Sequence, residues 1–122
     1  MALCLVVEDM PVTRKIYERM LTKLGFDVVQ APDCATALAI CAETMPDVAL
    51  VDWNLPDRDG IHFVAELRKL EGGDRPKVLM ATVENSIKHI QRAIEAGADE
   101  YVMKAFTQEI LADKLRIVGA IG

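Results

Sequence analysis

Val48-Ala49-Leu50-Val51-Asp52-Trp53-Asn54-Leu55-Pro56-Asp57-Arg58-Asp59-Gly60 is the stretch that decides the fold. Its first four residues are apolar without alternation, as in a strand buried on both faces. The run stops at an acid, Asp52. Leu55 to Gly60 is turn chemistry, rich in Pro, Asp and Gly. Helical spacing then sets in with Phe63, Val64, Leu67 and Leu70, and Gly72-Gly73 closes it. A short apolar strand followed by a loop and a helix is the repeating unit of a parallel sheet, because parallel neighbours need a crossover.

The same unit recurs on either side. Upstream, Leu3–Val7 is apolar and ends in Glu8-Asp9. Pro11 suits a first helical turn, where its missing N–H is harmless. Val12, Ile16, Tyr17, Met20, Leu21 and Leu24 keep helical spacing, and Gly25 is a natural stop. Asp27–Gln30 reads as a second strand, and Asp33 can cap a helix running to about Thr44 ahead of Pro46. Downstream, Lys77–Ala81 is a strand ending at Thr82. Ile87, Ile90 and Ile94 mark a helix ended by Gly97. Tyr101-Val102-Met103 is a strand ending at Lys104, and Ile110, Leu111, Leu115 and Val118 mark the last helix. The fold class is α/β: a doubly wound, five-stranded parallel sheet with right-handed crossovers and helices on both faces.

The 122 residues, 52% hydrophobic and 27% charged, fit one packed domain spanning 1–122. Fourteen Lys and Arg against nineteen Asp and Glu leave a net charge of −5, which argues against a nucleic-acid partner. The three cysteines, Cys4, Cys34 and Cys41, are an odd set without metal-type spacing, which suggests a reducing cytoplasm. The apolar N-terminus runs into Glu8-Asp9 without a basic segment or cleavage site, and no apolar run approaches the roughly 20 residues of a membrane span. The expectation is a cytoplasmic protein without membrane insertion. His62 and His89 read as surface helix residues and Trp53 as a loop aromatic. Met10, Met20, Met45, Met80 and Met103 read as packing.

Ligands of open parallel sheets bind at the carboxyl ends of the strands. Those ends deliver Glu8 and Asp9, then Asp52 and Asn54, then Thr82, and finally Lys104. Carboxylates brought together repel one another and favour a proton or a cation. Oxygen-only ligands suit a hard ion, and few carboxylates suit Mg2+ better than Ca2+. With Lys104 and one such ion the site is electrically balanced and can accept a phosphoryl group. Asp52 can be the nucleophile, with Lys104 and the metal neutralising the phosphoryl oxygens and Thr82 donating a hydrogen bond.

These positions, with Leu55-Pro56, Asp59-Gly60 and Gly97-Ala98-Asp99, resemble the receiver domain of response regulators (CheY-like) over essentially the whole chain. The resemblance implies a flavodoxin-like fold with strand order 2-1-3-4-5. It implies that Asp52 takes a phosphoryl group from a histidine kinase or phosphotransfer protein. Asp9, Asp52 and the Asn54 carbonyl would bind Mg2+, with Glu8 helping directly or through water. Thr82 and Lys104 would grip the phosphoryl oxygens, and Thr82 and Tyr101 would act as the switch. Asn54, Val83 and Glu84 would tune dephosphorylation. The helix 4–strand 5–helix 5 surface, with Ile90, Tyr101, Met103 and Lys114, would meet a protein target. Such a protein is a signalling switch whose only catalysis is its own phosphorylation and dephosphorylation.

Within the family the chain looks most like single-domain chemotaxis regulators, monomers with a target such as a flagellar motor component. A phosphate sink or relay shuttle, or a receiver belonging to a larger regulator, are the alternatives. An aspartate phosphatase would want an acid two residues after Asp52, where Asn54 stands. Arg14, Lys15, Arg19 and Lys23 on helix 1 are either a solvated face or a docking face for an acidic partner. Two positions depart from the family pattern. Ala105 replaces the proline that usually follows the lysine, so the Lys104–Ala105 bond is expected to be trans with a reshaped loop, or cis. Val83 is larger than the usual residue beside the phosphoryl pocket.

Overall fold

A computed structural model describes residues 2–122. Five strands alternate with five helices: β1 (Leu3–Val7), α1 (Pro11–Lys23), β2 (Asp27–Ala31), α2 (Cys34–Glu43), β3 (Val48–Asp52), α3 (Gly60–Lys69), β4 (Lys77–Thr82), α4 (Ile87–Ala96), β5 (Glu100–Met103) and α5 (Gln108–Ile117). All pairings are parallel and the sheet order is β2-β1-β3-β4-β5. Each strand expected from the sequence is present, with ends that differ by a residue at most. No helix among the described residues is long and apolar enough to cross a membrane.

The strands' position in the sheet explains their composition. β1 and β3 lie inside the sheet; β1 is apolar throughout and β3 is apolar up to its last residue, Asp52, whereas β2, an edge strand, carries Asp27 and Gln30. Side chains alternate across the sheet and build two cores. Leu5, Val7, Ala49, Val51, Val78 and Met80 pack with Phe63, Val64 and Leu67 of α3 and with Ala37 and Cys41 of α2. Cys4, Val6, Leu50, Leu79 and Val102 pack with Tyr17 and Leu21 of α1 and with Leu111 and Leu115 of α5. The cysteines are all buried and free, and burial pushes the Cys34 and Cys41 thiols up to about 11, so they are inert packing groups.

Helix ends follow their local chemistry. Asp33 caps α2 by accepting from the Thr36 amide at 2.7 Å. Gly97 ends α4 at φ 114°, a left-handed conformation that other residues resist. The helical faces depart from expectation. The periodic Ile87 and Ile94 of α4 are 75% and 52% exposed, and Ala93 is the residue α4 buries. On α1, Val12 and Ile16 also face solvent, as does Met10 just before it. Spacing identified these helices correctly, but it does not show how far an apolar stripe extends beyond the core.

Arg68, at the end of α3, ties two loops together, the one that follows α3 and the one between α4 and β5. Its guanidinium donates to the carbonyls of Gly73, Pro76 and Gly97 and pairs with Asp99 Oδ2 at 3.0 Å. Asp99 also accepts from the Val78 amide at 2.8 Å, which anchors the entry of β5 against β4. Arg68→Ala leaves these carbonyls unpaired and should cost about 2–4 kcal/mol. Urea unfolding measures this; a loss within error of zero would mean that water replaces the guanidinium freely.

Candidate functional site

The parallel register sets the site. Val7 lies opposite Val51, Asp52 opposite Ala81, and Thr82 opposite Met103. Glu8, Asp52, Thr82 and Lys104 therefore stand at neighbouring strand ends along one sheet edge. Two further backbone bonds extend the ladder there, from the Glu8 amide to Ala31 O at 3.0 Å and from the Lys104 amide to Thr82 O at 2.8 Å.

Glu8, Asp9 and Asp52 bring carboxylate oxygens within 4.8 Å of one another. Glu8 and Asp52 are buried, and Asp9 is exposed at the mouth. Lys104 Nζ lies 2.9 Å from Asp52 Oδ1 and 3.1 Å from Glu8 Oε1. Burial pushes the Glu8 carboxyl above its ordinary range; Lys104 opposes that shift, and the nearby Asp52 adds to it. Burial disfavours the Lys104 ammonium, but its bonds to Asp52 and Glu8 prevail and hold it above its ordinary range. A single ammonium faces three carboxylates, so the cluster is short of positive charge. Its donors are all oxygen, and it fits a hard divalent cation.

The loop after β3 is pinned onto the Asp52 backbone. The Gly60 amide donates to Trp53 O at 2.6 Å, and Asn54 and Asp59 form a bridge. A Cβ at Gly60 would collide with the Asp52 carbonyl, so only glycine permits this approach. Asn54, two residues after Asp52, is exposed. Asp57 turns the other way and caps α2, accepting from the Cys34 and Ala35 amides at 3.1 Å each.

Thr82 is buried, and its Oγ1 contacts His89 Nε2 at 3.1 Å and accepts from the Glu84 amide at 3.1 Å. His89 in turn stacks on Trp53, with ring centroids 3.5 Å apart, and the Arg92 guanidinium lies 5.6 Å from the Trp53 centroid. Two expectations are corrected here. Trp53 is 4% exposed and belongs to the core. His89 is a half-buried site neighbour, because α4 begins directly over the β4 end. Spacing along the chain carries no sign of a contact made across two elements.

The remaining positions lie further out. Val83 is 65% exposed, and Glu84 is also exposed. Tyr101, Ile90, Met103 and Lys114 are half-buried. Lys114 Nζ sits 4.7 Å from the Tyr101 ring centroid and 3.7 Å from Glu100. Of the basic residues on α1, Arg14 is engaged within the fold, donating to the Glu8 carbonyl at 2.9 Å and to Gln30 at 3.0 Å. The Lys104–Ala105 peptide bond is cis.

Residues 4–116 match the response regulator receiver domain. The chain is 35% identical to the chemotaxis protein CheY of Pseudomonas aeruginosa, covering 91% of this chain and 90% of that one. It is similar to the solved structure of chemotaxis protein CheY4 of Vibrio cholerae, at 31% identity and a TM-score of 0.92, covering 97% of this chain and 98% of the other. The receiver domain of a sensor histidine kinase from Pseudomonas aeruginosa, solved with a magnesium ion in its active-site cleft, aligns at 29% identity and a TM-score of 0.87, covering 97% of this chain and 98% of that chain.

The raised Glu8 carboxyl makes a pH prediction. A carboxyl whose folded pKa exceeds its unfolded value favours the fold below the unfolded pKa and loses that contribution as pH rises through the folded value. Without metal, Glu8→Gln should therefore gain stability relative to the parent chain between pH 5 and pH 8. Denaturant midpoints at the two pH values test this; a difference independent of pH would refute the assignment.

Proposed function

The chain belongs to the response regulator receiver domain family, and from that premise we propose that it is a phosphorelay switch with Asp52 as phosphoacceptor. The observation that carries this reading is the Lys104 ammonium 2.9 Å from a buried Asp52 inside a cluster of three carboxylates. In the proposed reaction an Asp52 oxygen attacks phosphorus, the P–N bond of a phosphohistidine on a histidine kinase or phosphotransfer protein breaks, and the imidazole leaves with the bonding pair. Lys104 is already placed to pair with the oxygens that gather charge. Thr82 supplies a hydroxyl hydrogen bond to one of them. Asp9, Asp52 and the Asn54 carbonyl would hold Mg2+, with Glu8 beside them; when bound, the ion supplies the positive charge the cluster lacks.

Phosphorylation then shifts a two-state surface of α4, β5 and α5 towards a form that binds a protein target. Thr82 and Tyr101 are the proposed switch residues, and Ile90, Met103 and Lys114 contribute to the surface. Exposed Ile87 and Ile94 on α4 and Ile117 on α5 support an apolar docking face there. The likeness to the two chemotaxis proteins favours a chemotaxis target, such as a flagellar motor component, over a phosphate sink or shuttle. Catalysis by the protein is confined to gaining and losing its own phosphoryl group, at a rate tuned by Asn54, Val83 and Glu84.

Acetyl phosphate with Mg2+ should label the parent chain at one site and leave Asp52→Asn unlabelled, as read by intact mass; equal labelling of both would refute the acceptor assignment. Mg2+ at ten times its Kd should stabilise the parent chain by about 1.4 kcal/mol and have much less effect on Asp52→Asn, read as a melting shift. Val83→Ala should speed loss of the phosphoryl group by opening access to water, and an unchanged or slower loss would remove Val83 from the tuning set.

A further inference from the structure

Thr82 is 2% exposed, and a buried hydroxyl carries one proton that needs an acceptor. The Glu84 amide already donates to Oγ1. Among the described residues, the other group in hydrogen-bond contact with this oxygen is His89 Nε2, at 3.1 Å. For the Thr82 hydroxyl to donate across this contact, Nε2 must be the acceptor, which requires the His89 tautomer with its proton on Nδ1.

The His89 ring is held from two sides. Its backbone lies in the first turn of α4, where the His89 amide donates to the capping Ser86 Oγ at 3.2 Å. Its face stacks on buried Trp53, the residue next to Asp52. The acceptor nitrogen is thus fixed with respect to both β4 and β3.

The proton that Thr82 would give to a phosphoryl oxygen is committed to His89 in this conformation. We propose that His89 is a positioning residue acting through Thr82: it is a latch that holds the hydroxyl away from the phosphoryl site and must release it when Asp52 is phosphorylated. Release breaks the contact between the β4 end and the first turn of α4, so the same event frees the helix that carries Ile87, Ile90 and Ile94. The latch rests on the phosphoacceptor reading of Asp52. It adds the residue that sets the cost of moving Thr82.

His89→Phe keeps an aromatic ring against Trp53 and removes the acceptor nitrogen. His89→Gln keeps a side-chain acceptor. With acetyl phosphate and Mg2+, H89F should label about two- to tenfold faster than the parent chain, the range that loss of one neutral hydrogen bond allows. H89Q should fall back towards the parent rate. In a Thr82→Ala background, which itself labels more slowly, H89F should change nothing further, because the latch has no hydroxyl to hold. The imidazole 15N–1H spectrum of the resting protein should show the Nδ1–H tautomer.

An H89F rate equal to the parent rate overturns the latch. So does the same acceleration in the Thr82→Ala background, an H89Q rate matching H89F, or an Nε2–H tautomer at rest. Absence of Asp52-dependent labelling in the parent chain overturns the phosphoacceptor reading instead, and the tautomer spectrum still judges the resting contact separately.

Discussion

Lys104 bridges Asp52 and Glu8 from the far end of the sheet, and the rest of the site depends on that bridge. Two carboxylates and an ammonium, drawn largely out of water, bear a desolvation penalty that only close geometry offsets. The geometry is close because parallel register sets the ends of β1 and β3 side by side, and because the Lys104 amide extends the ladder to Thr82 of β4, from where the lysine side chain reaches across to both acids. Asp9 then adds a charge that the bridge does not balance. A surplus of negative charge at a rigid edge suits a hard cation and is consistent with the phosphoryl transfer proposed for this site.

The rigidity has a backbone origin. Gly60 approaches the Asp52 carbonyl closer than any Cβ allows, and its amide is bonded to Trp53. The loop that follows Asp52 therefore has little freedom to drift. Arg68 does the same for the far side, fastening the α4–β5 loop to the end of α3. Neither device adds a side chain to the carboxylate cluster.

The legible part of the protein was the part governed by local pattern. Leu3–Val7 and Val48–Val51 announce buried strands because burial on both faces of the sheet favours apolar side chains, and each run stops where the site begins. The acid cluster was legible for the same reason, since topology alone puts those strand ends on one edge. What stayed hidden were contacts between elements. Arg68 looks like an ordinary basic residue in a last helical turn. His89 looks like a polar residue on an amphipathic helix, and Trp53 like a loop aromatic, until β3 and α4 are laid over one another. Ile87 and Ile94 have the spacing of a core face, yet α4 sits at the sheet margin and turns them outward.

That position of α4 connects the site to the surface. Of its ten residues α4 buries only Ala93, whereas α3, of equal length, buries Gly60, Phe63, Val64 and Leu67. Apolar burial is the dominant favourable term in packing a helix on a sheet, at roughly 25 cal/mol per Å2. An element that buries one small side chain is held weakly, and specific contacts therefore count for a large share of its anchorage. The contacts of His89 with Thr82 and Trp53 are of that kind. A hydrogen bond worth about 1 kcal/mol is minor beside the buried face of α3, but it is enough to bias where α4 rests. The weakly packed helix is thus the one whose first turn reaches the site. Its outward isoleucines, Ile87 and Ile94, are left outside the core and face solvent.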